Sequence, residues 1–366
     1  MNNSLKIGVM VLLCCFVSCT QNRFYSPNKI TEVEFPESFD SISCDTIGIH
    51  LSDDLFSIRS YKDLIVFFSY SSPLVHVINA KNDSLISEFG KIGHSKVEFE
   101  TTPYMCYFRK NINGDLIMCL PEFHSTKCIN LTSTILHSKC ILEKNVKHIH
   151  NNAEITTFWL SDNERIEYKR YGFEGDARDD IKTASNVSIY KNDVRKSFSV
   201  YPSLLSFDNG IDETLYMAAF DVSPNMAKCI EIPLFQDRFT IFDIKNGTSV
   251  GVKSKKENDD NFESLVSLNS EEANQKLKVQ TYNYCLSEPY IFIWHNGKTS
   301  LSEENAEEKM QINPEIRVFD WNGKFMASFI LKGKLLCIAY NEVANKIYAI
   351  DINGNVVRYD LSKILQ

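Results

Sequence analysis

Short apolar runs with a shared cadence return six times along the chain: Val75–Asn79, Cys128–Leu131, Val187–Tyr190, Phe239–Asp243, Ile316–Asp320 and Val356–Asp360. Their starts lie about 53, 59, 52, 77 and 40 residues apart, and recurrence near 50 residues marks a repeat architecture. The runs are rich in Val, Ile, Phe and Tyr and are separated by turn residues, so they read as strands. Strand-only units repeated six times predict an all-β, six-bladed β-propeller.

The last repeat shows the unit most plainly. Glu315–Asp320 predicts a strand, Trp321-Asn322-Gly323-Lys324 a turn and Phe325–Leu331 its partner, because Asn-Gly between alternating apolar runs signals a hairpin. Lys334–Tyr340, Lys346–Asp351 and Val356–Leu361 follow as three more strands, one short of a four-stranded blade. A ring left open there would expose a pairing edge. An N-terminal strand is therefore expected to close it, with Ile30–Phe35 as the candidate.

The other blades follow by analogy. Blade one takes Leu55–Ile58, Leu64–Phe68, Val75–Asn79 and Ser84–Phe89; blade two takes Tyr104–Arg109, Asp115–Leu120, the Cys128 run and Ile135–Leu142. Blade three takes Thr156–Leu160, Arg165–Lys169, the Val187 run and Lys196–Tyr201. Blade four takes Leu204–Phe207, Leu215–Phe220, the Phe239 run and Ser249–Lys253. Blade five takes Lys278–Cys285, Tyr290–Trp294, the Ile316 run and Phe325–Leu331. Two polar stretches, Ser254–Gln275 and Asn296–Asn313, break the period and read as solvated insertions, the first with a short helix near Ser270–Lys278.

The first eighteen residues carry one charge, Lys6, then the apolar run Ile7–Val17, Ser18 and Cys19. A cationic start, a short apolar core and a small residue before the cut form a secretory signal. The run is too short to span a bilayer, which takes about 20 apolar residues. Phe16-Val17-Ser18-Cys19 resembles the bacterial lipobox, which implies that Cys19 is the lipid-attachment site. The expected domains are a lipoprotein signal peptide over 1–18, a tether over 19–29 and the propeller over 30–366. No acidic pair follows Cys19, which favours an outer-membrane anchor facing the periplasm over display on the cell surface.

Composition narrows the functional classes. The chain has a formal charge of −8, one unit more negative once Lys6 is removed, and its charges are spread out. Nucleic-acid binding needs clustered Lys and Arg, so that class is excluded. Eight cysteines follow Cys19, most inside apolar strands where thiols act as small hydrophobes. Cys106 and Cys119 flank Asn111-Ile112-Asn113-Gly114 symmetrically and could face each other across a hairpin. There is no Cys-x-x-Cys pair, hence neither a zinc ribbon nor a thioredoxin-like motif.

The stretch Glu88-Phe89-Gly90-Lys91-Ile92-Gly93-His94, with Glu98-Phe99 and Thr102-Pro103 after it, resembles the blade crossings of TolB-like six-bladed propeller lipoproteins, related in pattern to NHL-type propellers. It departs from them at Ser95-Lys96-Val97, where glycine or proline is commoner. The resemblance spans residues 30–366 and implies a fold and a lipoprotein setting. It carries no catalytic residue.

Several constellations test for chemistry. His148-Ile149-His150 would put two imidazoles on one strand face, but nothing near in sequence completes a metal set. His50, His76, His94, His124, His137 and His295 are scattered through the blades. Glu174–Asp180 lacks the alternation and terminal Glu of an EF-hand loop. No Gly-x-Ser-x-Gly, His-Glu-x-x-His or P-loop occurs. Tyr282, Tyr284, Tyr290, Phe292 and Trp294 alternate as core-facing residues do, and a sugar-stacking platform is the other reading.

The sequence therefore predicts a non-catalytic, envelope-anchored binding or scaffold lipoprotein. Its expected partners are the membrane, through the N-terminal lipid, and an envelope protein or glycan. No catalytic, metal-binding or cofactor residue is assigned. The alternative is a propeller hydrolase or lyase at the central channel, with or without a divalent metal in the manner of some propeller enzymes.

Overall fold

The computed structural model describes residues 25–36, 39–122, 125–147, 155–169, 187–192, 194–198, 200–201, 211–258 and 260–365. The leader with Cys19, His148-Ile149-His150, Glu174–Asp180, His124 and Leu204–Phe207 lie outside these residues. Six small sheets make a six-bladed propeller. The innermost strands, which ring the axis, are Leu55–Tyr61, Tyr107–Lys110, Ile155–Trp159, Ala218–Val222, Thr281–Leu286 and Leu335–Asn341.

Blades pack face to face, so most strands are buried on both sides. In Leu64–Ser69 of blade one, Ile65 and Phe67 pack toward blade six while Val66 and Phe68 pack toward blade two. That demands apolar residues at consecutive positions, which explains why the runs in the sequence are nearly continuous. At the crossing into blade two, Gly90 sits at φ +91°, where an added Cβ would come 2.6 Å from the Phe99 ring. Only glycine suits both demands.

Three strands precede blade one, here β1 (Lys29–Val33), β2 (Asp40–Ile42) and β3 (Asp45–Thr46). β3 closes the ring: it pairs antiparallel with Val356–Asp360 as the fourth strand of blade six. Ile47 N–H extends the closure to Val356 O at 3.1 Å. The Ile30–Phe35 candidate is thus corrected. That segment runs parallel to Ser249–Ser254 on the outer edge of blade four, and β2 runs parallel to Phe325–Leu331 on blade five. The closing strand must hand the chain over a short crossing to Leu55, and β3 is near enough where β1 is not. Residues 25–47 therefore form a strap around the rim of blades four, five and six. Tyr25, wholly buried, starts it: its hydroxyl donates to Phe239 O at 3.0 Å.

Two other expectations change. Leu131–His137 is a helix, and the fourth strand of blade two is Leu142–Lys147. Asn130 caps the helix by accepting from Ser133 N–H, and Ser138 ends it in the left-handed conformation. Blade four includes Lys228–Pro233, which the sequence reading passed over, and Ile211–Leu215 is a helical turn.

Candidate functional site

Buried charge gathers at several places among the described residues, Lys127 with Glu122 at 3.3 Å in blade two for one; two others adjoin cavities. The first is the channel, toward the ends of the innermost strands. Arg59 of blade one faces Asp221 of blade four and Tyr284 of blade five. The Tyr284 hydroxyl donates to Asp221 Oδ2 at 3.3 Å and Val222 N–H donates to Oδ1 at 2.7 Å. The Arg59 guanidinium lies 5.9 Å from the Tyr284 ring centre and donates to Ile58 O at 3.2 Å. Burial pushes the Asp221 carboxyl above its ordinary range, and Arg59 opposes the shift. Cys106, Cys285 and Cys337 surround the guanidinium, and burial pushes each thiol up to about 12, so they stay neutral and unreactive. About 40 Å³ remains between these groups, space for water and not for a substrate.

The second place is a cleft of about 770 Å³ between blades four and five. It opens on the face that carries the blade crossings and the loops joining the second and third strands of each blade. Phe35, Pro36 and Phe39 of the strap form one wall. The two segments that break the repeat form the others: they are largely solvated, as expected, and the short helix of the first is Ser270–Lys276, but a few of their side chains turn inward. Helical turns at Asp260–Glu263 and Ser264–Ser267 bury Phe262 and Leu265, and the helix Ser270–Lys276 buries Ala273. The helix Ala306–Gln311 of the second insertion buries Ala306 and Met310. A reciprocal box between Asn269 and Glu272 starts Ser270–Lys276 and places Lys276 in its last turn, where the helix dipole favours a cation.

The floor of the cleft is an ionic network. Arg317 holds Asp237 Oδ1 at 2.9 Å and Glu315 Oε1 at 2.6 Å, and its guanidinium stacks 3.7 Å from the Phe35 ring centre. Arg238, buried, holds Glu257 Oε2 at 2.8 Å, and Asp237 N–H donates to Glu257 Oε1 at 2.9 Å. Burial raises the Glu257 carboxyl against the pull of Arg238. His295, 9% exposed, brings Nδ1 to 3.8 Å from Asp237 Oδ1. Burial lowers its imidazole, Asp237 opposing, so the ring is neutral at pH 7. Gly297, at φ +65°, leaves Nε2 room that a Cβ 2.5 Å away would take. Asn296 Nδ2 is buried without a hydrogen-bond partner.

The rim differs from the floor. Lys278 pairs with Glu303 at 3.2 Å, and Glu34, which lines the cleft, pairs with Lys255 at 3.0 Å. Lys256, Lys276 and Lys298 are exposed, and none has a carboxylate in ion-pair reach among the described residues. Three lysines without an ion-pair partner among the described residues thus line one concavity, together with Glu34, Asp237, Glu257 and Glu315, in a chain of net charge −8.

The residues singled out from sequence fall mostly elsewhere. Phe292 and Trp294 are core, with Tyr282 packed 5.0 Å from Trp294, while Tyr284 belongs to the channel. His76 is wholly buried between Glu88 Oε1 at 2.7 Å and Ser69 Oγ at 3.1 Å, and His50 is an exposed neighbour of Asp53. Of the scattered histidines, His295 reaches the cleft. Among the described residues no group of three or more His, Cys, Asp or Glu is placed to hold a metal ion. Cys119 does not face Cys106: its cross-strand neighbours are Tyr107 and Cys128. Cys106 lies one position off that register and turns to the channel.

No protein-family model matches the chain, and no curated protein matches it. Two solved structures are similar in shape. One, described as an exported protein of Bacteroides fragilis NCTC 9343, is 10% identical with a TM-score of 0.49, over 90% of this chain and 98% of that one. The other, a member of the DUF4221 family from Bacteroides vulgatus ATCC 8482, is 10% identical with a TM-score of 0.48, over 93% and 98%.

Proposed function

We propose that this chain is an envelope-anchored, non-catalytic binding lipoprotein of the TolB-like kind whose ligand is anionic and sits in the cleft between blades four and five. The observation that carries the reading is the trio Lys256, Lys276 and Lys298, unpaired around a concavity whose volume suits a small ligand. A carboxylate or phosphate group among the three ammonium groups would meet Coulomb attraction from each, partly screened by salt. Asn296 Nδ2 offers a donor deeper in, and Phe35 and Phe39 offer apolar contact. Acidic saccharides and acidic peptides of the envelope both carry this chemistry.

Anchoring is part of the proposal. A lipid on Cys19 would precede Tyr25 by so few residues that the propeller lies within about 20 Å of the bilayer, given the reach of an extended chain. The outer membrane, with the domain in the periplasm, is the setting that the leader favours.

The test is a thermal-shift and titration series with oligogalacturonate, polyglutamate and inorganic phosphate at low and high salt. Saturable stabilisation by an acidic probe is expected, weakening with salt and lost in the triple variant K256A/K276A/K298A. If no acidic probe binds at low salt, or the triple variant binds as tightly as the native chain, the reading is wrong. Among the described residues, the channel site at Arg59, Asp221 and Tyr284 leaves about 40 Å³, too little for the substrate of the hydrolase or lyase alternative.

A further inference from the structure

Blade two holds a pair of cysteines that the cleft does not use. Cys119 in Leu116–Pro121 and Cys128 in Ser125–Asn130 are directly opposed in the antiparallel register. Both are wholly buried, and their sulfurs lie 2.9 Å apart. Opposed residues in such a pair have Cα atoms about 4.5–5.5 Å apart, inside the span a disulfide bridges. The backbone is therefore already placed for a bond.

We propose that Cys119 and Cys128 are a disulfide-forming site, joined by exchange with an external disulfide such as oxidised glutathione before blade two closes over them. One of the two cysteines loses its proton, its thiolate attacks one sulfur of the external disulfide and displaces the first small thiolate, which takes up that proton. The other cysteine then loses its proton, its thiolate attacks the Sγ of the mixed disulfide, and the second small thiolate leaves and is protonated in turn. Two protein thiols are oxidised and one external disulfide is reduced to two thiols.

In the closed blade, hydrogen bonding from Cys119 and the nearby Arg109 guanidinium hold the Cys128 thiol below its ordinary value against burial, and burial pushes Cys119 well up. Before closure these surroundings are not in place, so either thiol can attack first and the other resolves the mixed disulfide. Once folded, the bond would lie in the core shared with Tyr107 and Phe158, out of reach of reductant.

Trypsin separates the partners, because Lys127 stands between them: Cys119 lies in the peptide 111–127 and Cys128 in 128–139. The full chain, secreted through its own leader and purified without reductant, is alkylated with N-ethylmaleimide in denaturant and digested. The expected result is a linked 111–127/128–139 species that falls 2 Da below the sum of its thiol peptides and separates on reduction. C106S should leave it intact, and C128S should abolish it. Recovery of the two peptides separately alkylated, or of Cys119 bridged to another cysteine, overturns the assignment.

Discussion

Arg59, Asp221 and Tyr284 meet in the channel with about 40 Å³ left among them, whereas Arg317, Asp237 and His295 meet below a cleft of about 770 Å³. Both clusters set an arginine, an aspartate and an aromatic ring together, and both draw on more than one blade. In the channel every ring and charge belongs to the repeat, and the inner strands of blades one, two, four, five and six leave little room between them. The cleft is where the repeat is broken: insertions and strap raise walls above the floor and bring lysines without acidic partners. A regular propeller core seals itself, and departures from regularity make room. Locally inconsistent segments are where function is expected to lie.

The contrast can be broken by mutation. The largest effect is expected for Arg59→Leu, which removes the cation that faces the buried Asp221 and should cost about 2–3 kcal/mol. Urea denaturation at pH 7 reads it, and a loss below about 1 kcal/mol would show that the channel charges are not coupled. Next comes Gly297→Ala, which puts a side chain in the left-handed region against His295 and should cost about 1–2 kcal/mol in the same assay.

His295→Gln sharpens the comparison through pH. The folded imidazole is held below the ordinary value of 6.5, so the unfolded chain binds more protons as pH falls past that value. The stability tied to a neutral His295 is present above pH 6.5 and is lost as pH drops toward the folded pKa. In the variant, stability between pH 6.5 and 5 should fall less steeply, by at most about 1.4 kcal/mol per pH unit. An unchanged slope would place the proton uptake elsewhere. The smallest effect on folding is expected for the lysine triple variant. Exposed and unpaired, these side chains should shift stability by no more than about 0.5 kcal/mol while anion binding is lost. A large loss of stability would instead make them part of the scaffold.

Much of the fold was legible in sequence because a strand buried on both faces must be apolar throughout, and such runs stand out when repeated. What was misread has local causes. Leu131–His137 contains Thr132, Thr134 and Ile135, β-branched residues that favour strand, yet its caps decide for helix. Lys228–Pro233 was hidden by Glu231, a carboxylate in a core strand whose Oε1 accepts from the Tyr168 hydroxyl of blade three at 3.1 Å. The cleft was harder still. Its lysines sit in polar stretches with no periodicity to read, and their convergence depends on insertions from two blades folding toward each other. The Cys119–Cys128 pairing was missed because hairpin symmetry pointed to Cys106, one position out of register.

The strap also sets how the molecule would carry tension. A pull from the amino terminus first meets β1, with five paired positions on blade four, then β2, with three on blade five. The two-position clasp of β3 comes last in that series. The weakest joint of the ring is thus shielded by stronger ones upstream, so a domain tugged by its tether would shed its outer strands before the circle opened.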